Sequence, residues 1–321
     1  MTDSFQKRLN FDGNIDEVIE RAANNYSLGN LKHSELMTVG LQDYNLHIIT
    51  NQGEYVIKVF SKLRNVENIR RYVEIIKAAL NAGVHHPSML KDMKGEFIHT
   101  DEPSGLSMIV LEYIRGKTFY DMDRAPNSKE LKLIAAETVK INKIKFKPSY
   151  LFDSWAVPNI HWMYKQVNKF LDDEGKNLAK TALSWYEALP IKLLPTCFVQ
   201  GDIIKTNVVL GENSQIYIID FAVSNIYPRV QELAVMSSNL MDNKKAPLLR
   251  RVERVKQAYL AAGGELTEVE LKSLYNYAVC AVAMEFMGSY HERYVIGETA
   301  DEISYWMQLG RQGLKEGLGE K

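Results

Sequence analysis

Cysteine is scarce in this sequence, which holds two among 321 residues. Cys197 and Cys280 each lie in an apolar stretch, LLPTCFV and YAVCAVAM. Two such thiols in a long chain favour reduced core residues over a disulfide framework or a cysteine metal site. The first residues, MTDSFQKRLN, also lack the apolar run of a secretory signal. These features predict a cytoplasmic protein.

The sequence lacks an excess of either charge and any long hydrophobic run. Its 39 Lys and Arg stand against 40 Asp and Glu, a formal net charge of -1. Nucleic acid and anionic membrane surfaces favour strongly basic partners, so we expect neither as a partner. The longest apolar stretch, LYNYAVCAVAMEFMG, contains Asn276 and Glu285 and is too short and too polar to span a bilayer.

Strands dominate the first third of the chain, and helices dominate the rest. The runs DYNLHIIT (43–50) and EYVIKVF (54–60) are separated by Asn51-Gln52-Gly53, which predicts a hairpin. A helical stripe of Ile69, Val73, Ile76 and Leu80 follows, and then two more strand-like runs, EFIHT and LSMIVLEYI. We therefore predict an α+β fold with two lobes, a small antiparallel β-sheet lobe over 1–112 and a larger, mainly helical lobe over 113–321.

One strand–loop–strand segment interrupts the helical half, FVQGDIIKTNVVLGENSQIYIIDFAV (198–223). A hairpin built from TNVVL and IYIID brings Asn207 and Asp220 to the same open end, and Asp202 precedes the first arm. An amide oxygen and a carboxylate that converge suit Mg²⁺, and a second carboxylate can orient a hydroxyl and accept its proton. Each residue alone is equally a common turn former, but the three together at this spacing predict a phosphoryl-transfer site.

The same segment resembles the phosphotransferase family of aminoglycoside kinases, choline kinases and related small-molecule kinases, which share the protein-kinase-like fold. That family carries H-G-D-x-x-x-x-N and then I-D-F/W, where this chain reads QGDIIKTN and IIDFAV. The resemblance implies that Asp202 is the catalytic-loop aspartate and that Asn207 and Asp220 bind the metal. Gln200 replaces the usual histidine, and because an amide can both donate and accept, we expect it to brace the loop.

The resemblance also implies a nucleotide site in the first half of the chain. A lysine on the third strand should hold the α- and β-phosphates, and YVIKVF supplies Lys58. We expect Glu74 on the following helix to pair with it, with Glu67 as the alternative near the helix start. The segment VGLQDYNL (39–46) is the candidate phosphate-covering loop, although it has a single glycine.

The connector SMIVLEYIRG resembles the segment whose backbone meets the adenine. Glu112 and Ile114 would present their main-chain groups there. The resemblance thus runs in order through nearly the whole chain.

The acceptor pocket of such kinases is usually shaped by the C-terminal helices. The stretch EFMGSYHERYVIGETADEISYWM (285–307) mixes acidic residues, Glu285 among them, with aromatic residues such as Trp306. This mixture suits a cationic or amine-bearing acceptor, and a solvated helix face with core aromatics is the alternative.

The sequence as a whole predicts an Mg²⁺-dependent kinase that moves the γ-phosphoryl group of ATP to a hydroxyl of a small metabolite or antibiotic. GTP as the donor, the homoserine, choline or aminoglycoside type of acceptor, and a monomer or a homodimer all stay open. The alternative function is a nucleotide-binding module of the same fold that has lost catalysis and acts by interaction.

Overall fold

The computed structural model describes residues 9–37, 43–242, 246–298 and 301–319. The chain forms two compact units, Met1–Asn81 with His85–Gly116 and Ala82–Val84 with Lys117–Lys321. We call them unit 1 and unit 2.

Unit 1 is built on a five-stranded antiparallel sheet in the order β1-β2-β3-β5-β4. Its strands are β1 (Leu31–Leu36), β2 (Tyr44–Thr50), β3 (Glu54–Val59), β4 (His99–Asp101) and β5 (Leu106–Glu112). The predicted hairpin is β2–β3, which pairs Asn45 with Lys58. Helix α1 (Ile15–Asn25) packs its apolar residues on the sheet to make the unit's main core, and helix α2 (Val66–Asn81) follows β3.

Unit 2 contains two small sheets. Strand β7 (Thr196–Val199) pairs with β10 (Asn225–Pro228), and β6 (Gly116–Thr118) joins the hairpin of β8 (Val208–Gly211) and β9 (Ile216–Ile218). Both sheets flank the 200–207 loop, so the unit's short strands serve mainly to hold that loop.

Helices make up the rest of unit 2. They are α3 (Ser128–Asn142), α4 (Ile160–Val167), α5 (Asp173–Glu187), α6 (Val230–Val235), α7 (Leu248–Ala261), α8 (Glu268–His291) and α9 (Asp301–Gly319). Helix α8 is buried along most of its length, with α4, α5, α6, α7 and α9 packed around it. An all-round apolar surface is what a central helix requires.

Two helical stretches of unit 2 are irregular. The stretch 160–189 is two helices, because Leu171 is extended and Asp172 caps α5 by accepting a hydrogen bond from the Gly175 amide at 2.8 Å. Helix α6 ends early and continues as a wider turn of π-helix over Met236–Leu240. No described helix combines the length and the apolar character needed to cross a bilayer.

Candidate functional site

The β8–β9 hairpin brings the two ends of the motif together, as its sequence predicts. The Ile219 amide donates to the Asn207 carbonyl at 2.9 Å, one residue before Asp220. Asn207 ends a single 3₁₀ turn over Lys205–Asn207 that leads into β8. The loop that carries Asp202 and the turn that carries Asp220 therefore start from adjacent points of the same small sheet.

Asp202 and Asn207 are in direct contact. The Asn207 side-chain amide donates to the Asp202 carboxylate at 2.7 Å and to the Asp202 carbonyl at 3.0 Å. The Asn207 side-chain oxygen accepts a long bond from the Thr206 hydroxyl at 3.4 Å, and its second lone pair can serve another partner. Asp220 has φ 54, a left-handed conformation, and its Oδ1 accepts from the Ala222 amide at 3.2 Å. The described geometry thus provides one amide oxygen and one carboxylate, a donor set that suits Mg²⁺.

Gln200 braces the loop from beneath. Its Oε1 accepts from the Asp202 amide at 2.6 Å, and its Nε2 donates to the carbonyls of Ile219 and Asp220 at 3.1 and 2.6 Å. The side chain is fully buried. One residue therefore ties the segment before Asp202 to the segment before Asp220 and uses both ends of its amide to do so.

We expect Gln200→His to keep most of the activity. A neutral imidazole has one donor and one acceptor, so it can replace one bond of each kind. Turnover measured at saturating substrates should fall by less than about a hundredfold, roughly 2.7 kcal/mol at the transition state. The control is Gln200→Leu, which has neither donor nor acceptor and should lose more activity than Gln200→His. Equal losses in both variants would contradict the bracing role.

Glu232 on α6 anchors the same loop, a role that was not predicted from the sequence. Its carboxylate accepts from the backbone amides of Gln200 at 2.7 Å and Gly201 at 3.0 Å, and the residue is fully buried. Burial raises the pKa of Glu232 to about 7, opposed by the two amide bonds. Gly201 has φ 90, where a side chain would be strained. The only sequence signal was a charged residue inside the apolar run RVQELAVM.

Asp202 lies among other acidic groups. Burial, followed by the charges of Asp153 and Asp220, raises the pKa of Asp202 to about 7, while the bond from Asn207 opposes the shift. Asp153 is itself buried, and burial raises its pKa to about 6. The Asn225 side chain fixes the segment just before Asp153, because its amide donates to the Leu151 carbonyl at 2.7 Å. A cation bound here would favour the ionised carboxylates.

Lys58 is buried in unit 1 beside Asp43, which directly precedes β2. Its Nζ lies 3.1 Å from Asp43 Oδ2, and the two side chains are 4% and 3% exposed. Arg64 Nη2 lies 3.2 Å from the other carboxylate oxygen. The ring of Tyr72, from α2, lies under the ammonium at 5.2 Å. No role was predicted for Asp43 from the sequence, because it begins the run DYNLHIIT that predicts a strand.

The predicted pairing of Glu74 with Lys58 is not what the structure shows. Glu74 is 52% exposed and bonds Lys77, three residues on, at 2.9 Å. Tyr72 and Ile76 are buried on α2. At 100° per residue, Glu74 lies about 160° around the helix from each of them, on nearly the opposite face. The alternative, Glu67, is also exposed. Glu74 was chosen because it lies next to apolar helix residues in the sequence, and that criterion did not identify the helix face that contacts Lys58.

The predicted connector follows β5, which ends at Glu112. The Glu112 amide donates to the Ser88 carbonyl at 3.0 Å, and the Tyr113 amide to the Glu54 carbonyl at 3.3 Å. Ile114 lies outside regular structure, just past the strand. The first half of the predicted phosphate-covering loop, residues 39–42 with Gly40, lies outside the described residues.

A cavity of about 1230 Å³ opens in unit 2 next to the 200–207 loop. Lys205 of that loop lines it together with Glu285, Asp242, Arg251 and Trp306. The Lys205 amide donates to the Asn239 side-chain oxygen at 3.4 Å, which joins the loop to the cavity wall. The predicted acceptor residues Glu285 and Trp306 are thus brought to one cavity with the loop.

Charges in this cavity are unevenly paired. Asp242 accepts from Arg251 at 2.8 Å, whereas Glu285 accepts from the Ser238 hydroxyl at 2.9 Å. Burial raises the pKa of Glu285 to about 7, with Asp242 adding to the shift and Arg251 opposing it. Glu285 can therefore bind a cation, and a bound cation would favour the ionised form of its carboxyl group.

Other members of the acidic and aromatic stretch pack elsewhere. Tyr294 stacks on Phe170 with ring centroids 5.0 Å apart. Glu292 Oε1 lies 3.8 Å from His291 Nδ1. The side chains of Asp301 and Glu302 lie outside the described residues. Within the described ranges, no three His, Cys, Asp or Glu side chains are grouped to hold a metal ion.

Comparison with known proteins gives one family match. The profile of the phosphotransferase enzyme family matches residues 36–268, which include Lys58, Asp202, Asn207 and Asp220. That match covers more than half of the chain, and it agrees with the resemblance found in the sequence.

Solved structures of small-molecule kinases share the fold. A choline/ethanolamine kinase family protein from Mesorhizobium loti is 18% identical with a TM-score of 0.68, covering 95% of each chain. A microcompartment-associated aminopropanol kinase is 11% identical with a TM-score of 0.74, covering 94% of this chain and 96% of its own. An amicoumacin kinase in complex with AMP-PNP and Ca²⁺ is 11% identical with a TM-score of 0.71, covering 98% and 96%. The predicted protein-kinase-like α+β fold is confirmed.

Proposed function

Because this chain belongs to the phosphotransferase enzyme family, we propose that it transfers the γ-phosphoryl group of ATP to a hydroxyl of a small, amine-bearing acceptor. The main support for this proposal is the hydrogen bond of the Asn207 amide to the Asp202 carboxylate at 2.7 Å. Asn207 directly precedes one strand of the hairpin, and Asp220 follows the other strand at the same open end. This arrangement separates one carboxylate for the acceptor from two oxygen ligands for a metal.

Asp202 is the proposed base. The bond from Asn207 fixes one of its oxygens, so the carboxylate has a set orientation before the acceptor arrives. It orients the acceptor hydroxyl and takes its proton as the oxygen attacks the γ-phosphorus. A base works best when its pKa is near the working pH, and the acidic surroundings of Asp202 act in that direction.

Asn207 and Asp220 are the proposed ligands of Mg²⁺, which neutralises developing charge on the phosphates when it is bound. Two protein ligands make a weak site, since Mg²⁺ gives up its waters reluctantly and relies on substrate phosphates. We therefore expect the metal to arrive with the nucleotide. For Lys58 we propose contact with the α- and β-phosphates, and for Glu112 and Ile114 main-chain contact with the base. The complex of a structural neighbour with AMP-PNP is consistent with ATP as the donor.

The cavity beside Lys205 is the proposed acceptor site. Among the described residues that line it, five are acidic, Asp121, Asp123, Asp242, Glu285 and Glu316, and three are basic, Lys205, Arg251 and Lys315. Trp306 adds an aromatic face. Both features favour an ammonium group. The aminopropanol and choline/ethanolamine kinases among the structural neighbours are consistent with such an acceptor.

We expect Glu285→Gln to weaken selection for an amine without changing the fold. Glutamine keeps the acceptor oxygen for Ser238 but cannot carry the charge. A hydrogen bond to a charged group contributes about 1.5–3 kcal/mol, so KM for an amino alcohol should rise about 10- to 100-fold while KM for the matching diol changes little.

The same charge gives a pH dependence. The Glu285 carboxyl ionises near pH 7, so the preference of the wild type for the amine should increase between pH 6 and 8 and stay flat in Glu285→Gln. The exposed Glu265→Gln is the matched control. An amine preference that is pH-independent in both proteins would contradict this assignment.

The reaction itself is tested by ADP release with panels of amino alcohols, amino acids and aminoglycosides. Turnover with one class identifies the acceptor type, whereas a wild type that binds ATP but is inert across all panels would favour the interaction module. We further propose a cytoplasmic location, supported by the absence of a disulfide at either Cys197 or Cys280.

A further inference from the structure

The buried ammonium of Lys58 requires a counter-charge. Moving an ammonium out of water costs several kcal/mol unless a charged partner and hydrogen bonds compensate. In unit 1 the carboxylate at hand is Asp43, 3.1 Å away and just as buried. The acidic residues of α2, Glu67 and Glu74, are both exposed.

Strand pairing explains why Asp43 reaches Lys58. Lys58 on β3 is opposite Asn45 on β2. Side chains alternate along a strand, so a residue two positions before Asn45 is directed to the same face as Lys58. Asp43 therefore reaches Lys58 from the position that directly precedes β2, the strand paired with β3.

Helix α2 meets the ammonium with an aromatic ring. Tyr72 lies 5.2 Å below Lys58 Nζ, a distance at which a ring face attracts a cation. Arg64 takes the second oxygen of Asp43, at 3.2 Å. The Asp43 carboxylate is thus in contact with two cations, one at each oxygen.

We propose that Asp43 is the positioning residue for Lys58, in the role expected of Glu74. Its carboxylate holds the ammonium in one place, in position for the nucleotide phosphates. This inference rests on the proposed function, because it presumes that Lys58 binds nucleotide. The opposite role, a carboxylate that competes with the phosphates for Lys58, would require Asp43 to leave a buried site in which both of its oxygens face cations.

Binding of AMP-PNP with Mg²⁺, measured by calorimetry without any acceptor, tests the pairing directly. Asp43→Asn should bind about tenfold more weakly or worse, since truncating one partner of a buried charge pair usually has at least that effect. Glu74→Gln is the matched control and should bind within about twofold of wild type, as expected for an exposed charge. In turnover, KM for ATP should rise in Asp43→Asn while KM for the acceptor stays the same, which a general loss of structure would not produce.

A double-mutant cycle with Lys58→Met locates the effect. If Asp43 acts through Lys58, the double variant should bind no more weakly than Lys58→Met alone. Full additivity would overturn the inference. So would wild-type or tighter binding by Asp43→Asn, the tighter result indicating competition with phosphate, and so would a loss in Glu74→Gln equal to that in Asp43→Asn.

Asp43→Glu keeps the test valid if Asp43→Asn does not fold. It retains the charge but moves the carboxylate by one methylene, so its affinity should fall between those of wild type and Lys58→Met. Wild-type affinity in folded Asp43→Glu would overturn the positioning role. A wild type that binds no nucleotide with Mg²⁺ would instead overturn the proposed function, and so the two failures are distinguishable.

Discussion

Asp202→Asn should bind ATP and Mg²⁺ about as well as wild type while its turnover falls by about 10²–10⁴, the usual effect of removing a general base. Asparagine has nearly the same shape but cannot take the proton. Its side-chain oxygen can still accept the bond from Asn207, and the backbone bond to Gln200 is untouched. Calorimetry of nucleotide binding and initial rates of ADP release measure the two quantities separately.

The control for this change is Asp173→Asn, an exposed carboxylate in the first turn of α5. It should leave both quantities as in wild type. Wild-type turnover in Asp202→Asn on the true acceptor would reject the base assignment. The interaction-module alternative predicts no turnover in either protein.

Asp220→Ala should abolish the gain in ATP affinity that Mg²⁺ gives the wild type. Without the carboxylate, Asn207 is left as a lone protein oxygen for an ion that holds its waters tightly. Titrating ATP with and without Mg²⁺ in both proteins gives the gain directly. An Mg²⁺ effect that is the same in both proteins would show that the metal is held elsewhere.

Backbone conformation matters for this variant. Asp220 has φ 54, which alanine tolerates poorly and asparagine tolerates better. Asp220→Asn therefore controls for strain, because it removes the charge but fits the backbone. We expect its Mg²⁺ gain to be reduced and its thermal stability to exceed that of the alanine variant.

The loop and hairpin could be predicted because their sequence signals are local. Apolar runs of strand length, a turn between them and polar residues at their ends indicate which chain ends meet. The structure brings the Asn207 end of β8 beside the residue before Asp220, as the spacing implied. Chain spacing was enough because a hairpin leaves a single register in which its ends coincide.

Contacts between distant segments could not be predicted in the same way. Glu232 reaches the loop from 31 and 32 positions along the chain, and nothing in the sequence fixes where α6 sits. Glu74 failed for a different reason. Helix α2 is buried on several sides, and hydrophobic spacing alone did not identify Glu74 as one of its exposed positions.

The location of the Lys58 partner also bears on regulation. Where a lysine depends on a helix for its counter-charge, swinging that helix outward switches the enzyme off. Asp43 directly precedes β2, Lys58 lies on β3, and the two strands are joined by backbone hydrogen bonds. The pair therefore does not depend on a helix that can swing. With Asp43 as the partner, movement of α2 would leave the lysine in place. The rate of such an enzyme would follow the supply of its substrates from the moment the chain has folded.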